Sequence, residues 1–391
     1  MTEKRHQWAS NLGFILAAAG SAVGLGNIWK FPGKVGAYGG GAFLLCYLLI
    51  VFLVGFPVML AELSIGRATQ KNVVGAFRTL NPRWRFAGYI GIVTLFVILS
   101  YYCVVGGWVL KYVQIYAAGA HFGAGPGAYA DYFSAFSARP VEPLLWGLGF
   151  LVLCIVVVVR GVSQGIEKVS KVLMPLLFLL LAGLVVYSVT RLGAGEGLRF
   201  LFGIDPARLS GDTLVGALGQ AFFSLSVGMG IMVTYGSYVP KSENLAKSAG
   251  WICALDTLVA FLTEEFHLSR ARAAIGLSAP MALLSAGYSL SQSAGRGINL
   301  PWFDFKNGLQ MLPMNAVMEK FTDNLMIPLG ALCFCLFVGW VWGTKAAGQE
   351  IAGEHGLRRM QKPWAFAVRF LAPLVIVVIL YFTLGMGEGL S

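Results

Sequence analysis

AAGSAVGLGNIWKFPG, residues 18–33, interrupts an apolar stretch that would otherwise continue as a membrane helix. Trp8 to Ala19 is apolar, and then Gly20, Gly24, Gly26 and Asn27 follow in close succession. Glycine loosens a helix, and bare backbone amides at membrane depth are tolerated only around a cavity or a buried site. Such a break turns carbonyls toward a cation and a helix N-terminus toward a carboxylate. The segment therefore reads as a substrate and ion site, which a plain anchor does not need.

The rest of the chain sets that break in a membrane. Of 391 residues, 57% are hydrophobic and only 12% charged, too few charges to keep a soluble chain of this length dispersed. The net charge of +11 raises the question of nucleic acid. No basic helix with aromatic platforms accompanies it, so no nucleic-acid partner is expected. The lysines and arginines lie between apolar runs. The cysteines at 46, 103, 154, 253, 333 and 335 all fall inside apolar stretches and read as small core residues. Among the histidines at 6, 121, 267 and 355 no nucleophile–base pair or metal cluster stands out, which argues against an enzyme.

Apolar segments adequate for a bilayer span run near 10–35, 41–66, 87–118, 143–159, 166–190, 213–239, 273–293, 322–343 and 364–386. The connection 67–86 carries Arg67, Lys71, Arg78, Arg83 and Arg85, and 160–171 carries Arg160, Lys168 and Lys171. The loop 119–142 carries only Arg139. The positive-inside rule then predicts a multi-pass protein of the inner (plasma) membrane with a cytoplasmic N-terminus and 119–142 outside. MTEKRH followed by an apolar run and Ala17-Ala18-Ala19 also has the outline of a signal peptide. An uncleaved first span, with Lys4 and Arg5 inside, is the better reading, because the run passes at once into another apolar segment.

A second defect lies in 213–239, where Ser224, Ser226, Gly228 and Gly230 weaken the middle of a span. The first and sixth spans thus share one feature at a separation of five helices, the mark of an inverted repeat whose broken helices face each other. Ordinary glycine-packed helices are the simpler reading of either span alone; the pairing argues against it.

These motifs resemble the neurotransmitter:sodium symporters, in particular the bacterial amino-acid transporters. The resemblance rests on RHQWASNLGFILAAAGSAVGLGNIWKFP, GGGAFLLCYLL, GFPVMLAELSIGR and SYYCVVGGW, then on GQAFFSLSVGMG, TYGSYVPKSEN, LTEEFHLSR and NLMIPLG. It covers nearly the whole chain. It implies an all-α, inverted-repeat transporter bundle with broken first and sixth helices. The whole of 1–391 would be one transmembrane domain, with a first repeat near 10–190, a second near 213–343 and an extra helix near 364–386. It also implies sodium-coupled symport of an amino acid by alternating access.

Position by position, the resemblance assigns one sodium site to the carbonyl of Ala22, the side chains of Asn27 and Ser224, and Asp256. Hard oxygen ligands of this kind suit a small alkali cation. A carboxylate at 256, where relatives often carry Asn, implies that chloride is not required. A second sodium site would use the carbonyls of Gly20 and Val23. The substrate carboxylate would meet the amides of Leu25 and Gly26 and the hydroxyl of Tyr102, and the amino group the carbonyls of Ala22, Phe223 and Ser224, with Ser226 nearby. Ser21, Gly24, Ile98, Phe223 and Met229 would bound the side chain. Methionine is adaptable, which implies a large apolar or aromatic substrate. Lys30 and Asp323 would close the outside over Phe223, with Gln220 between them. Arg5, Tyr238 and Glu264 would latch the cytoplasmic side, with Trp8 packed beneath.

One departure from the family is large. ICALDTLVAFL begins like a seventh helix and passes directly to TEEFHLSR, which ends an eighth. Parts of both helices are missing, and with them the eighth-helix hydroxyl ligands of the second sodium site. A single crossing here would put Arg270, Arg272, Lys345, Arg358, Arg359 and Lys362 on the other side, against the charge rule. The alternative expectation is therefore a truncated, non-transporting membrane protein that retains weak substrate or sodium binding.

Overall fold

The computed structural model describes residues 8, 10–24, 26–119, 128–190, 194–264, 298–304, 308–352 and 361–384. Arg5, Leu25, the side chain of Glu264 and the expected span 273–293 lie outside the described residues.

The first span is two helices. The α1 helix, Asn11–Ala22, starts where the Ser10 hydroxyl accepts the Gly13 amide, and its apolar run stops at Val23, whose backbone is extended. The α2 helix, Gly26–Tyr38, leaves at 50° to it and ends at Gly39 with a left-handed backbone. Then follow α3 (Gly41–Thr69), α4 (Val73–Leu80), α5 (Pro82–Ala117), α6 (Ala128–Ser137), α7 (Glu142–Val159) and α8 (Gly165–Tyr187). After α9 (Ala194–Phe202) the second broken span begins as α10 (Gly211–Ser224) and resumes as α11 (Ile231–Gly236). The α12 helix, Leu245–Glu264, carries the shortened seventh-helix sequence. A small antiparallel hairpin pairs β1 (Asn299–Asp304) with β2 (Gly308–Pro313), Pro301 opposite Met311. It leads straight into α13 (Met314–Ile351), and α14 (Gln361–Thr383) closes the described chain. The observed α13 is longer at both ends than the expected 322–343.

One hydrophobic cluster runs through the bundle from Trp8 to Ile379 and includes Phe31, Phe43, Tyr47, Phe222 and Phe334. The outward faces are apolar as well. Helix α8 exposes Val172, Leu176, Leu179, Leu180 and Val186, a surface that needs lipid around it.

Ion pairs fix which connections share a side. Trp8 donates its indole N–H to the Tyr235 carbonyl, and the chain leaving α11 brings Lys241 to Glu350 at 2.9 Å. Arg67, at the end of α3, lies 3.5 Å from Glu350, and Lys171 pairs with Glu167, to which Ser10 also bonds. The basic connections that the charge rule grouped together therefore lie on one side. Lys30 and Asp323 meet at the opposite end of α13.

Candidate substrate and cation site

The two breaks face each other. In the second, Ser226, Gly228 and Gly230 all have positive φ, so α10 cannot run on into α11. Gly228 has both that left-handed backbone and no spare room, since a Cβ there would run into the Ile327 carbonyl of α13. The breaks are stitched by their polar groups. Ser226 Oγ donates to the Ser21 carbonyl at 3.0 Å and lies 3.3 Å from Ser21 Oγ. Gln220 Nε2 donates to the Gly26 carbonyl at 2.8 Å. Gly26 must be small, because a Cβ there would come within 3.0 Å of the Phe223 ring.

Beside this seam three oxygen-bearing side chains converge from three helices. Ser224 Oγ donates to Asp256 Oδ1 at 2.7 Å and lies 3.0 Å from Asn27 Oδ1, while Asn27 Nδ2 donates to Asp256 Oδ1 at 2.8 Å and to its carbonyl at 3.0 Å. Tyr47 Oη completes the shell by donating to Asp256 Oδ2 at 3.1 Å. Asn27, Ser224 and Asp256 are fully buried. A buried carboxylate is tolerable only with partners of this number. The cluster's oxygens, Asn27 Oδ1, Ser224 Oγ and the Asp256 carboxylate, are hard donors of the kind that suits a small monovalent cation. Ala22 is buried at the end of α1.

The rings of Tyr102 and Phe223 are 6.0 Å apart, and the Tyr102 hydroxyl is 3.8 Å from where a Cβ on Gly24 would sit. Ile98 and Met229 are buried in the main cluster. Lys30 closes the far side: its Nζ is 2.7 Å from Asp323 Oδ2 and 4.0 Å from the centre of the Phe223 ring, with the side chains only 8% and 11% exposed. At the opposite end Trp8 meets Tyr238 edge-on, ring centres 6.2 Å apart.

Gly20 and Val23 lie in different company. A Cβ on Gly20 would be 3.3 Å from Met174 Sδ and 3.8 Å from Ser170 Oγ of α8. Val23 packs with Ala19, Met174, Leu181 and Val259, with Leu255 against them. Apolar residues of α12 thus stand beside Val23, while Gly20 faces α8.

Two residues of the site were not singled out from the sequence. Glu62 is fully buried on α3, and its Oε1 accepts the Gly228 amide at 2.6 Å, which fixes the backbone of the second break. A carboxylate in the apolar run PVMLAELSIG was the available signal. Tyr47, the fourth member of the Asp256 shell, gave none, since an aromatic in an apolar run is ordinary core.

Comparison with known proteins agrees with this arrangement. The sequence profile of the sodium:neurotransmitter symporter family matches residues 5–118 and 143–318. This chain belongs to that family. It is 44% identical to the uncharacterized sodium-dependent transporter YhdH of Bacillus subtilis over 262 residues, 66% of this chain and 58% of that one. To the uncharacterized sodium-dependent transporter MJ1319 of Methanocaldococcus jannaschii it is 33% identical over an aligned 398 residues, 98% of this chain and 76% of the relative. The crystal structure of MhsT in complex with L-phenylalanine matches with a TM-score of 0.84 at 35% identity, covering 97% of this chain and 100% of that one. The chain spans 58% of YhdH and 60% of a Haemophilus influenzae relative, so it is short against both. The expected fold class stands: a transporter bundle with two broken helices and a shortened seventh. The family is one of membrane transporters, not of enzymes.

Proposed function

We propose that this chain binds sodium and an amino acid together where the two broken spans meet, and carries them across the plasma membrane by alternating access. The carrying observation is the convergence of Asn27 Oδ1, Ser224 Oγ and Asp256 Oδ1 beside the seam between the breaks. Sodium, the transported ion, sits among these oxygens with the Ala22 carbonyl. The Asp256 charge does the work of an anion, so chloride is not required. The substrate carboxylate takes the amides at Leu25 and Gly26 and the Tyr102 hydroxyl, while the amino group takes the carbonyls of Ala22, Phe223 and Ser224. Ser21, Gly24, Ile98, Phe223 and Met229 bound a pocket for a large apolar or aromatic side chain. The L-phenylalanine bound in the MhsT structure supports that class.

Lys30, Asp323 and Phe223 form the outer closure. A lysine makes a less directional pair than an arginine. Trp8 and Tyr238, with Arg5 and Glu264, form the inner one. The N-terminus is cytoplasmic, on the side that collects Arg67, Lys171 and Lys241.

Family membership and the complete oxygen cluster support symport over the reading of a non-transporting remnant. The apolar packing of Leu255 and Val259 beside Val23 is the observation that favours the remnant. Proteoliposomes with an inward sodium gradient and labelled phenylalanine, tryptophan and leucine separate the two. Accumulation above equilibrium that collapses with the gradient is expected of a symporter. Sodium-dependent binding without accumulation would establish the remnant, and absence of both would refute the proposal.

A further inference from the structure

The inner end of α1 is anchored on two sides. Trp8 holds it to α11 through the Tyr235 carbonyl and the Tyr238 ring. Ser10 holds it to α8: its hydroxyl donates to Glu167 Oε1 at 3.2 Å while accepting the Gly13 amide as the helix cap. Glu167 is otherwise an expensive residue to place here. Its side chain is 1% exposed, and Lys171 Nζ, 2.7 Å from the same oxygen, is its counterion one turn along α8. The sequence makes room for it with Gly13, where a Cβ would overlap the carboxylate.

We propose that Glu167 is a positioning residue that latches α1 to α8 and so governs opening of the site toward the cytoplasm. The inference rests on the orientation and alternating-access reading given above. The lever is short and stiff. Helix α1 has 12 residues, about 18 Å of rigid rod at the rise of an α-helix. At one end is the Ser10–Glu167 bond. At the other are Ser21, bonded to Ser226, and the buried Ala22. Beyond Ala22 the chain is broken and turns by 50°, so the rod has a hinge at its site end. Releasing Ser10 from Glu167 frees the rod to swing about that hinge, which opens the α1–α8 boundary most at the Ser10 end and less widely at Gly20 and Ser170, nearer the hinge. The buried position makes the latch sensitive to charge, since an unpaired or opposed carboxylate in that place is poorly tolerated.

The test separates capping from latching at one position. Ser10→Asn keeps a capping oxygen and an amide that can donate to Glu167. Ser10→Asp keeps the capping oxygen but sets a second carboxylate against Glu167. Ser170→Cys, facing Gly20, serves as reporter in the full chain, labelled by a membrane-impermeant maleimide from the cytoplasmic face of inside-out vesicles. The native cysteines are all buried and give a low background. Ser10→Asp is expected to raise the labelling rate about fivefold or more, as like-charge opposition in a buried contact demands, and Ser10→Asn to leave it near the parent rate. Glu167→Ala alone, which removes the acceptor, is expected to raise it, and to remove most of the further effect of Ser10→Asp. Equal rates for the Asp and Asn variants, or an undiminished Asp effect with Ala at 167, would overturn the latch. If Ser10→Asp does not fold, the Glu167→Ala rate decides: no rise overturns it. The readout uses neither sodium nor amino acid, so loss of binding would count against the proposed function and leave the latch standing.

Discussion

Asp256→Asn probes the cation site most directly, because it removes a charge and almost nothing else. The side chain is fully buried and receives Asn27 Nδ2 at 2.8 Å, Ser224 Oγ at 2.7 Å and Tyr47 Oη at 3.1 Å. Asparagine fits the same space. Its Oδ1 still accepts from Ser224 and Asn27, and Tyr47 can turn its hydroxyl to accept from the new amide, so folding should be little affected. The cation loses its anionic neighbour. At roughly 3 Å and an effective dielectric constant of about 20, the gross attraction is on the order of 5 kcal/mol. Burying the ionised carboxylate already costs a large part of that, which leaves a net loss of about 2–3 kcal/mol. The expected outcome is a sodium requirement raised by roughly 30–150-fold, since ~1.4 kcal/mol is a factor of ten. Sodium titration of labelled phenylalanine binding by scintillation proximity measures it, in chloride and in gluconate. Chloride should have no effect on the parent and should restore part of the sodium affinity of Asp256→Asn. A shift below about threefold, under ~0.7 kcal/mol, would refute the assignment of Asp256 to the cation.

Asn27→Ala and Tyr102→Phe should each weaken amino-acid binding by about 1–3 kcal/mol, the cost of losing a desolvated polar partner; unchanged saturation curves in both would remove them from the site. Met229→Phe should weaken tryptophan and tyrosine binding more than alanine and valine, by about 1–3 kcal/mol of overpacking, and competition curves shifted equally for all four would make Met229 ordinary core. Glu62→Ala should destabilise the protein by about 1–3 kcal/mol because the Gly228 amide is left buried without its acceptor, and Glu62→Gln by less. Thermal exposure of the buried cysteines to a thiol-reactive dye reads this as a lower melting temperature. Equal melting of parent and both variants would contradict the role. Gly26→Ala should displace Phe223 and lower substrate affinity, since the added Cβ would come within 3.0 Å of the ring; affinity equal to the parent's would show that the ring moves freely.

The sequence by itself determined the membrane character, the apolar runs behind the long described helices and the positions of both breaks. Those features are local. Apolar runs of bilayer length, and glycines and serines clustered in the middle of two of them, read directly from composition and spacing. The resemblance carried Asn27, Ser224 and Asp256 further, from isolated polar residues to one candidate set. Tertiary structure decided what no periodicity encodes: that these three side chains lie within 3.0 Å of one another in hydrogen-bonded pairs, with Tyr47 as a fourth partner. It also decided that Glu62 holds the Gly228 amide and that Ser10 reaches Glu167 across 157 positions of chain. Hydrogen bonds and ion pairs between helices depend on rotation and crossing, which are set by packing of the whole bundle. The consequence of the shortened seventh helix is of the same kind. The sequence located the join. Only the packing of Leu255 and Val259 beside Val23 gave it a place, because an apolar face settles against whichever neighbour the fold brings to it.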